Sequence, residues 1–208
     1  MEALRAQMNP HFIFNSLNSI NRYIIKSDAK SSSYYLTKFA KLMRLILDNS
    51  KSKKVVLSNE LEALKLYMEI ESMRFDHKFV YEIRIADNVD PNILEIPPLI
   101  IQPYVENAIW HGLLPKDSPG KINLDISMEN DFLRIELTDD GIGRIKSQEF
   151  RNEQNLTRKS LGMKLTEERL KMATENIETA GHQEIIDLYD SSGKPTGTKV
   201  ILKIPVND

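Results

Sequence analysis

The hydrophobic period of this chain changes near residue 54, and that change limits the folds open to it. Before it, apolar residues recur at helical spacing: Ile13, Leu17, Ile20 and Ile24, then Tyr35, Phe39, Leu42 and Ile46. Both rows step by four, three and four, which puts each on one face of an α-helix. The polar stretch "KSDAKSSS" between them suits a turn. Two such helices make a hairpin with an apolar side left over, and a second copy closing a four-helix bundle would bury it. Beyond the change the pattern alternates. "FVYEIRIA", "KINLDISM", "DFLRIELT", "EIIDLYD" and "TKVILKIPV" read as strands. "VVLSNELEALKLYMEIESMRF" reads as a short extended start and then a helix, with Ser58 or Asn59 as its N-cap. "QPYVENAIWHGL" and "LGMKLTEERLKMATENI" are helical. The expected fold class is α+β: a helical hairpin over residues 1–54, then a mixed or antiparallel sheet with helices on one face over residues 55–208.

Composition narrows the function classes. At 208 residues, 41% hydrophobic and 28% charged, the chain can bury a real core. Its formal charge of −2 gives no global reason to expect nucleic-acid binding. Without cysteine there is no disulfide scaffold and no thiolate metal site. No apolar run approaches the roughly eighteen residues a membrane span needs, and the N-terminus lacks the pattern of a signal peptide. The hairpin is locally basic: Arg22, Lys26, Lys30, Lys38, Lys41, Arg44, Lys51, Lys53 and Lys54 face only Asp28 and Asp48. A solvated face is the favoured reading, and an acidic partner surface the sharper alternative.

Four short motifs carry the chemistry. In "QPYVENAIWHGL", Pro103 suits a helix start and Gly112 a helix end, and Asn107 and His111 share a face four residues apart. In "TDDGIG", Asp139 ends a strand-like run, and Gly141 and Gly143 flank Ile142. An acid there can accept a hydrogen bond from a base amino group, while the glycines let backbone approach a ligand. In "KSLGMKLTEERL", Gly162 precedes a helix whose free N–H groups suit a phosphate. In "PTGTKVILKIP", Gly197 and Thr198 open the last strand. Each motif alone is also what an ordinary turn or helix end looks like. Their order and spacing together resemble the nucleotide motifs of the GHKL ATPase superfamily, the Bergerat ATP-binding fold. With "NPHFIFNSLN" in front and "YMEIESMRF" and "PPLIIQPYVENAIWHG" between, nearly the whole chain resembles the sensor histidine kinases of the LytS type.

The resemblance implies a dimeric helical hairpin followed by a Bergerat-type α/β sandwich, binding ATP and Mg²⁺. It implies that Asn107 holds the Mg²⁺, which keeps oxygen ligands shared with the phosphates. Glu106 beside it would orient a metal-bound water or act as a base. In the gyrase-like branch the catalytic glutamate lies four places before the asparagine. Here that place is Pro103, which suits a kinase that spares ATP until a histidine is presented. Asp139 and, through a water, Thr198 would read the adenine amino group. Gly141 and Gly143 would clear room for the base, with Gly197 beside Thr198. Residues 144–159 would form a mobile lid. Gly162 would bring a helix N-terminus to the phosphates, where Lys164 is a further candidate and His111 has two readings, a phosphate contact or a structural hydrogen bond. The chain departs from the pattern at Ser160, where a glycine is usual, and at Trp110, where a lysine is frequent.

On this reading His11 accepts the phosphoryl group. At about 100° per residue, His11 falls a third of a turn from the Ile13–Ile24 row, nearer Asn15, Asn18 and Arg22. Pro10 would bend the helix there. Phe12 stands where many histidine kinases carry an acid, which leaves Asn15 to orient the ring and Glu106 as base. The implied partners are a second copy through the hairpin and a response regulator, by family habit of the LytTR type, with no direct nucleic-acid or membrane contact. The implied setting is the cytoplasmic portion of an inner-membrane sensor protein. Two other classes stay open: a nucleotide-binding scaffold without kinase activity, and a GHKL kinase of the serine type. The "NPHFIFN" helix counts against the latter.

Overall fold

The computed structural model describes residues 10–153 and 182–206. In chain order its elements are α1 (Pro10–Ile25), α2 (Ala29–Asn49), β1 (Val55–Val56), α3 (Leu57–Arg74), β2 (Phe79–Ile85), β3 (Glu95–Ile96), α4 (Gln102–Asn107, continued as a π-helix over Ala108–Leu113), β4 (Gly120–Glu129), β5 (Phe132–Asp139), α5 (Arg144–Glu153), β6 (His182–Tyr189) and β7 (Pro195–Pro205). The class is mixed helix and sheet, with the helical hairpin first.

The five expected strands form one sheet in the order β2-β4-β5-β7-β6. β2 and β4 run parallel and every other pair antiparallel. Alternation gives the sheet two unlike faces. Ile122, Leu124 and Ile126 of β4, Leu133, Ile135 and Leu137 of β5, and Val200, Leu202 and Ile204 of β7 are buried with residues of α3 and α4. The opposite face carries a ladder of cross-strand ion pairs: Glu82–Lys121, Arg84–Asp125, Lys199–Glu136 and Lys203–Glu129. Such pairs fix register more than they add stability.

α3 lacks the side-chain cap expected at Ser58 or Asn59. Its N-cap is Val56, which makes no side-chain cap bond. The first free N–H groups are satisfied from outside the helix instead, Leu57 donating to Leu94 O at 2.8 Å and Ser58 to Pro91 O at 2.7 Å. β1 pairs with β3 just before, so the chain enters the helix already held in place.

The hairpin is turned relative to the expected stripe. α2 buries Tyr35, Phe39, Leu42 and Ile46 as its periodicity indicates. α1 instead buries Phe12, Ser16, Ser19 and Ile20, leaving Leu17 46% and Ile24 58% exposed. The reason is a second apolar surface: the hairpin packs on α3 as well as on itself. The Phe12 ring lies 5.1 Å from that of Tyr67 and 6.3 Å from that of Phe39. At the rim, Lys38 pairs with Glu69 and Lys41 with Glu62, so these two hairpin cations meet an acidic surface within the same chain. Pro10 is the first described residue of α1, so the bend expected there involves residues outside the described ones.

Candidate nucleotide pocket

A cavity of about 460 Å³ opens between α4, α5 and the ends of β5, β6 and β7. Asn107, His111, Asp139, Gly143 and Thr198 line it, with Tyr104 and Ala108. Four separated stretches of sequence thus meet at one place, and the sheet register brings two of them together: Asp139 of β5 stands opposite Thr198 of β7.

Asp139 is the buried acceptor of the cavity, only 4% exposed. Its Oδ1 accepts from Gly141 N at 2.9 Å, and the Thr198 backbone N–H also donates to the carboxylate. Burial pushes its pKa up to about 6, opposed by those two donors. Lys116 does not neutralise it directly, because Lys116 is paired with Asp140 at 2.9 Å. A buried carboxylate facing a cavity, with acceptor capacity left, suits a ligand N–H donor.

The glycines around it allow backbone to pass backbone. A Cβ on Gly141 would stand 2.5 Å from Gly112 Cα, and one on Gly197 would stand 1.9 Å from the Asp139 carbonyl oxygen, at a φ of +141°. Gly197→Ala should therefore lower stability by about 3–5 kcal/mol. A denaturant midpoint close to that of the wild type would contradict the packing described.

α4 changes pitch where it borders the cavity. After Asn107 the helix widens to π geometry, with Leu114 N donating to Ile109 O at 2.9 Å. Such insertions re-aim side chains and are frequent at functional sites. Asn107 and His111 both still line the cavity. Glu106 is not among the lining residues; it lies close enough to Tyr67 and Glu71 of α3 for its charge to bear on both.

Two supports gave no sequence signal strong enough to single them out. Glu60, buried in α3, accepts from Leu99 N at 2.8 Å and Ile101 N at 3.3 Å, and so ties down the segment that leads into α4. Leu99 adopts a φ of +57° there, a conformation a leucine holds only when its surroundings impose it. Arg144, at the start of α5, makes a two-point pair with Asp187 of β6 at 2.7 and 2.8 Å. The beginning of the expected lid is thus helical and pinned to the sheet. His11 lies in the first turn of α1, and Gly162 and Lys164 fall outside the described residues.

A groove of about 610 Å³ separates α1 from the end of α3, lined by Asn15, Asn18, Arg22, Arg74 and Lys78 among others. Glu71 is fully buried nearby, its pKa pushed to about 7 by burial against the pull of Arg74 at 3.1 Å.

Comparison with known proteins follows the same lines. The histidine kinase family matches residues 1–79. Sensor protein LytS of Staphylococcus epidermidis is 32% identical over 143 residues, 69% of this chain and 24% of the relative. Sensor protein LytS of Oceanobacillus iheyensis is 36% identical over the same shares. The chain therefore spans about a quarter of the length of these relatives. The catalytic domain of histidine kinase ThkA superposes with a TM-score of 0.50 at 15% identity, covering 74% of this chain and 97% of that one, a likeness of fold. Among the described residues no helix is long and apolar enough to cross a membrane. The chain belongs to the histidine kinase family and is a relative of the LytS sensor proteins.

Proposed function

We propose that the chain is the catalytic core of a two-component sensor kinase, moving the γ-phosphoryl group of ATP to His11 and then to an aspartate of a response regulator. The observation that supports this most is the buried Asp139 carboxylate, facing a cavity it shares with Asn107, His111 and Thr198. That cavity has the size and donor set for adenosine phosphates: an acceptor for the adenine amino group at one point, and an amide and an imidazole a helical turn apart at another. Asn107 offers the side-chain oxygen a Mg²⁺ ion requires, and the ion would neutralise phosphate charge. Gly162 and Lys164 would complete the phosphate site.

The transfer needs alignment more than covalent assistance. A lone pair on one imidazole nitrogen of His11 attacks the γ-phosphorus. The bond to the bridging oxygen breaks, ADP leaves with its electron pair, and the proton on the other ring nitrogen can pass to a base. Glu106 is the candidate for that base, with Asn15 in the orienting role. The exposed apolar residues Phe14, Leu17, Ile24 and Ile25 of α1 and Leu36 and Leu47 of α2 suit a second copy, giving a homodimer through the hairpin. Residues 1–54 would then be the dimerisation and phosphotransfer unit, residues 55–208 the ATP-binding unit, and the whole the cytoplasmic part of an inner-membrane sensor.

Incubation with γ-labelled Mg-ATP should give label that is lost in acid and kept in alkali, and Asn107→Ala should lose it. Tight ATP binding with no label would replace this reading by a nucleotide-binding scaffold. Acid-stable label would replace it by a serine kinase.

A further inference from the structure

Trp110 stands at a junction that the nucleotide pocket itself does not require. It is the only tryptophan in the chain, and it sits in the π-helical stretch between Asn107 and His111, yet does not line the cavity. Three groups of α3 and its end meet it. Its indole N–H donates to the Tyr67 hydroxyl. The Arg74 guanidinium lies 4.7 Å from its ring centre, and the Phe75 ring meets it edge-on at 5.5 Å. Arg74 is held in that stack by buried Glu71 at 3.1 Å.

Tyr67, and the backbone of residues 73 and 74, also receive α1, the helix that carries His11. Phe12, the residue after His11, packs on Tyr67 at 5.1 Å. Tyr23 donates its hydroxyl to Met73 O at 3.3 Å, and Arg22 donates to Arg74 O at 3.4 Å. The end of α3 is closed by a short backbone reversal. Asp76 and His77 both adopt positive φ, 51° and 58°, and His77 N donates back to Ser72 O at 2.8 Å, which makes a tight reversal directly after Phe75. The α1 contacts at residues 73 and 74 thus fall on the same short segment that presents Arg74 and Phe75 to Trp110.

We infer that Trp110 is a positioning residue, through which the seating of the His11 helix on α3 sets the place of Asn107 and His111 in the pocket. The inference rests on the reading of that pocket as the ATP site. Its physical basis is a short chain of packed groups, α1 to the α3 end to Trp110, joined to a π-helical segment that shares its turn with the two pocket residues. An indole suits the role. It offers a flat face to a guanidinium, an edge to an aromatic ring and one directed N–H, whereas a lysine at this place would offer a mobile point charge.

The test uses Trp110 as its own reporter. The double variant Arg22→Ala, Tyr23→Phe removes only the α1 grip on residues 73 and 74, and neither residue lines the nucleotide cavity. Expected results are a shifted or altered Trp110 emission without nucleotide, and a change of about fivefold or more in Mg-ATP affinity. Arg74→Lys, which keeps charge but loses the planar stack, should change both in the same sense. Unchanged emission in the Arg22→Ala, Tyr23→Phe variant overturns the coupling of hairpin to Trp110, whatever Arg74→Lys shows. Altered emission with unchanged ATP affinity overturns the coupling of Trp110 to the pocket. If the wild type binds no ATP, the nucleotide reading itself falls, and the inference with it, whatever the emission shows.

Discussion

His11→Gln should abolish acid-labile labelling from Mg-ATP while leaving ATP affinity within about twofold. Glutamine matches the polarity of histidine but not its chemistry: its amide nitrogen lone pair is delocalised into the carbonyl and cannot attack phosphorus, whereas a neutral imidazole has a free one. The affinity should hold because, among the described residues, the pocket is lined from α4, α5 and the sheet and not from α1. Phe12 remains to seat the helix on Tyr67 and Phe39, so the hairpin should keep its place. Labelling and calorimetry on the same preparation check both halves. Labelling equal to the wild type would move the acceptor to another residue. A large loss of affinity would mean that the helix start reaches the nucleotide.

Asp139→Asn should weaken ATP binding by about a hundredfold or more. In the wild type the carboxylate accepts from Gly141 and Thr198 N–H groups and has lone pairs left for the adenine amino group. An asparagine has one oxygen for these three donors and turns an NH₂ toward one of them. A buried donor left unpaired costs about 1–3 kcal/mol, and a lost bond to a charged acceptor a similar amount. The carboxylate also predicts a pH effect. Its pKa in the empty site is about 6, raised by burial, and an N–H donor binds the ionised form better. The preference for ATP over ITP, which has a carbonyl in place of the amino group, should therefore be full above pH 6 and narrow as pH falls through it. Protonated Asp139 can donate to that carbonyl, and phosphate ionisation cancels between the two nucleotides. A preference constant from pH 5 to pH 8 would remove Asp139 from the base-reading role.

How much of this could be read without coordinates differs from element to element. The five strands, α2 and the helix bearing Asn107 are legible because local period and polarity decide them. Val200, Leu202 and Ile204 alternate into the core wherever the strand is placed. The burial of α1 was not legible, since its pattern offers more than one apolar line. Phe12 and Ile20 were drawn inward by α3, and Leu17 and Ile24 were left outside. The cap of α3 was missed for a related reason. Its donors are met by carbonyls of residues 91 and 94, more than thirty positions along the chain, and the local signal at Ser58 and Asn59 went unused.

The candidate site divides the same way. Asn107, His111, Asp139, Gly143 and Thr198 stand out in the sequence by motif: a shared helix face for the first two, a strand end followed by glycines for the next two, and a Gly-Thr pair in the last strand for Thr198. The sequence by itself also determined that an acid ends β5 and that glycines follow it, because only glycine lets backbone cross backbone at the distances found around Gly141 and Gly197. Only the tertiary structure decided which groups support them. The Arg144–Asp187 clamp, the Glu60 anchor and the stack of Arg74, Phe75 and Trp110 join residues 35 to 43 positions apart. Such contacts leave no periodic trace, since ion pairs and ring stacks depend on where whole elements come to rest, and that is set by the summed burial of the core rather than by any local run of residues.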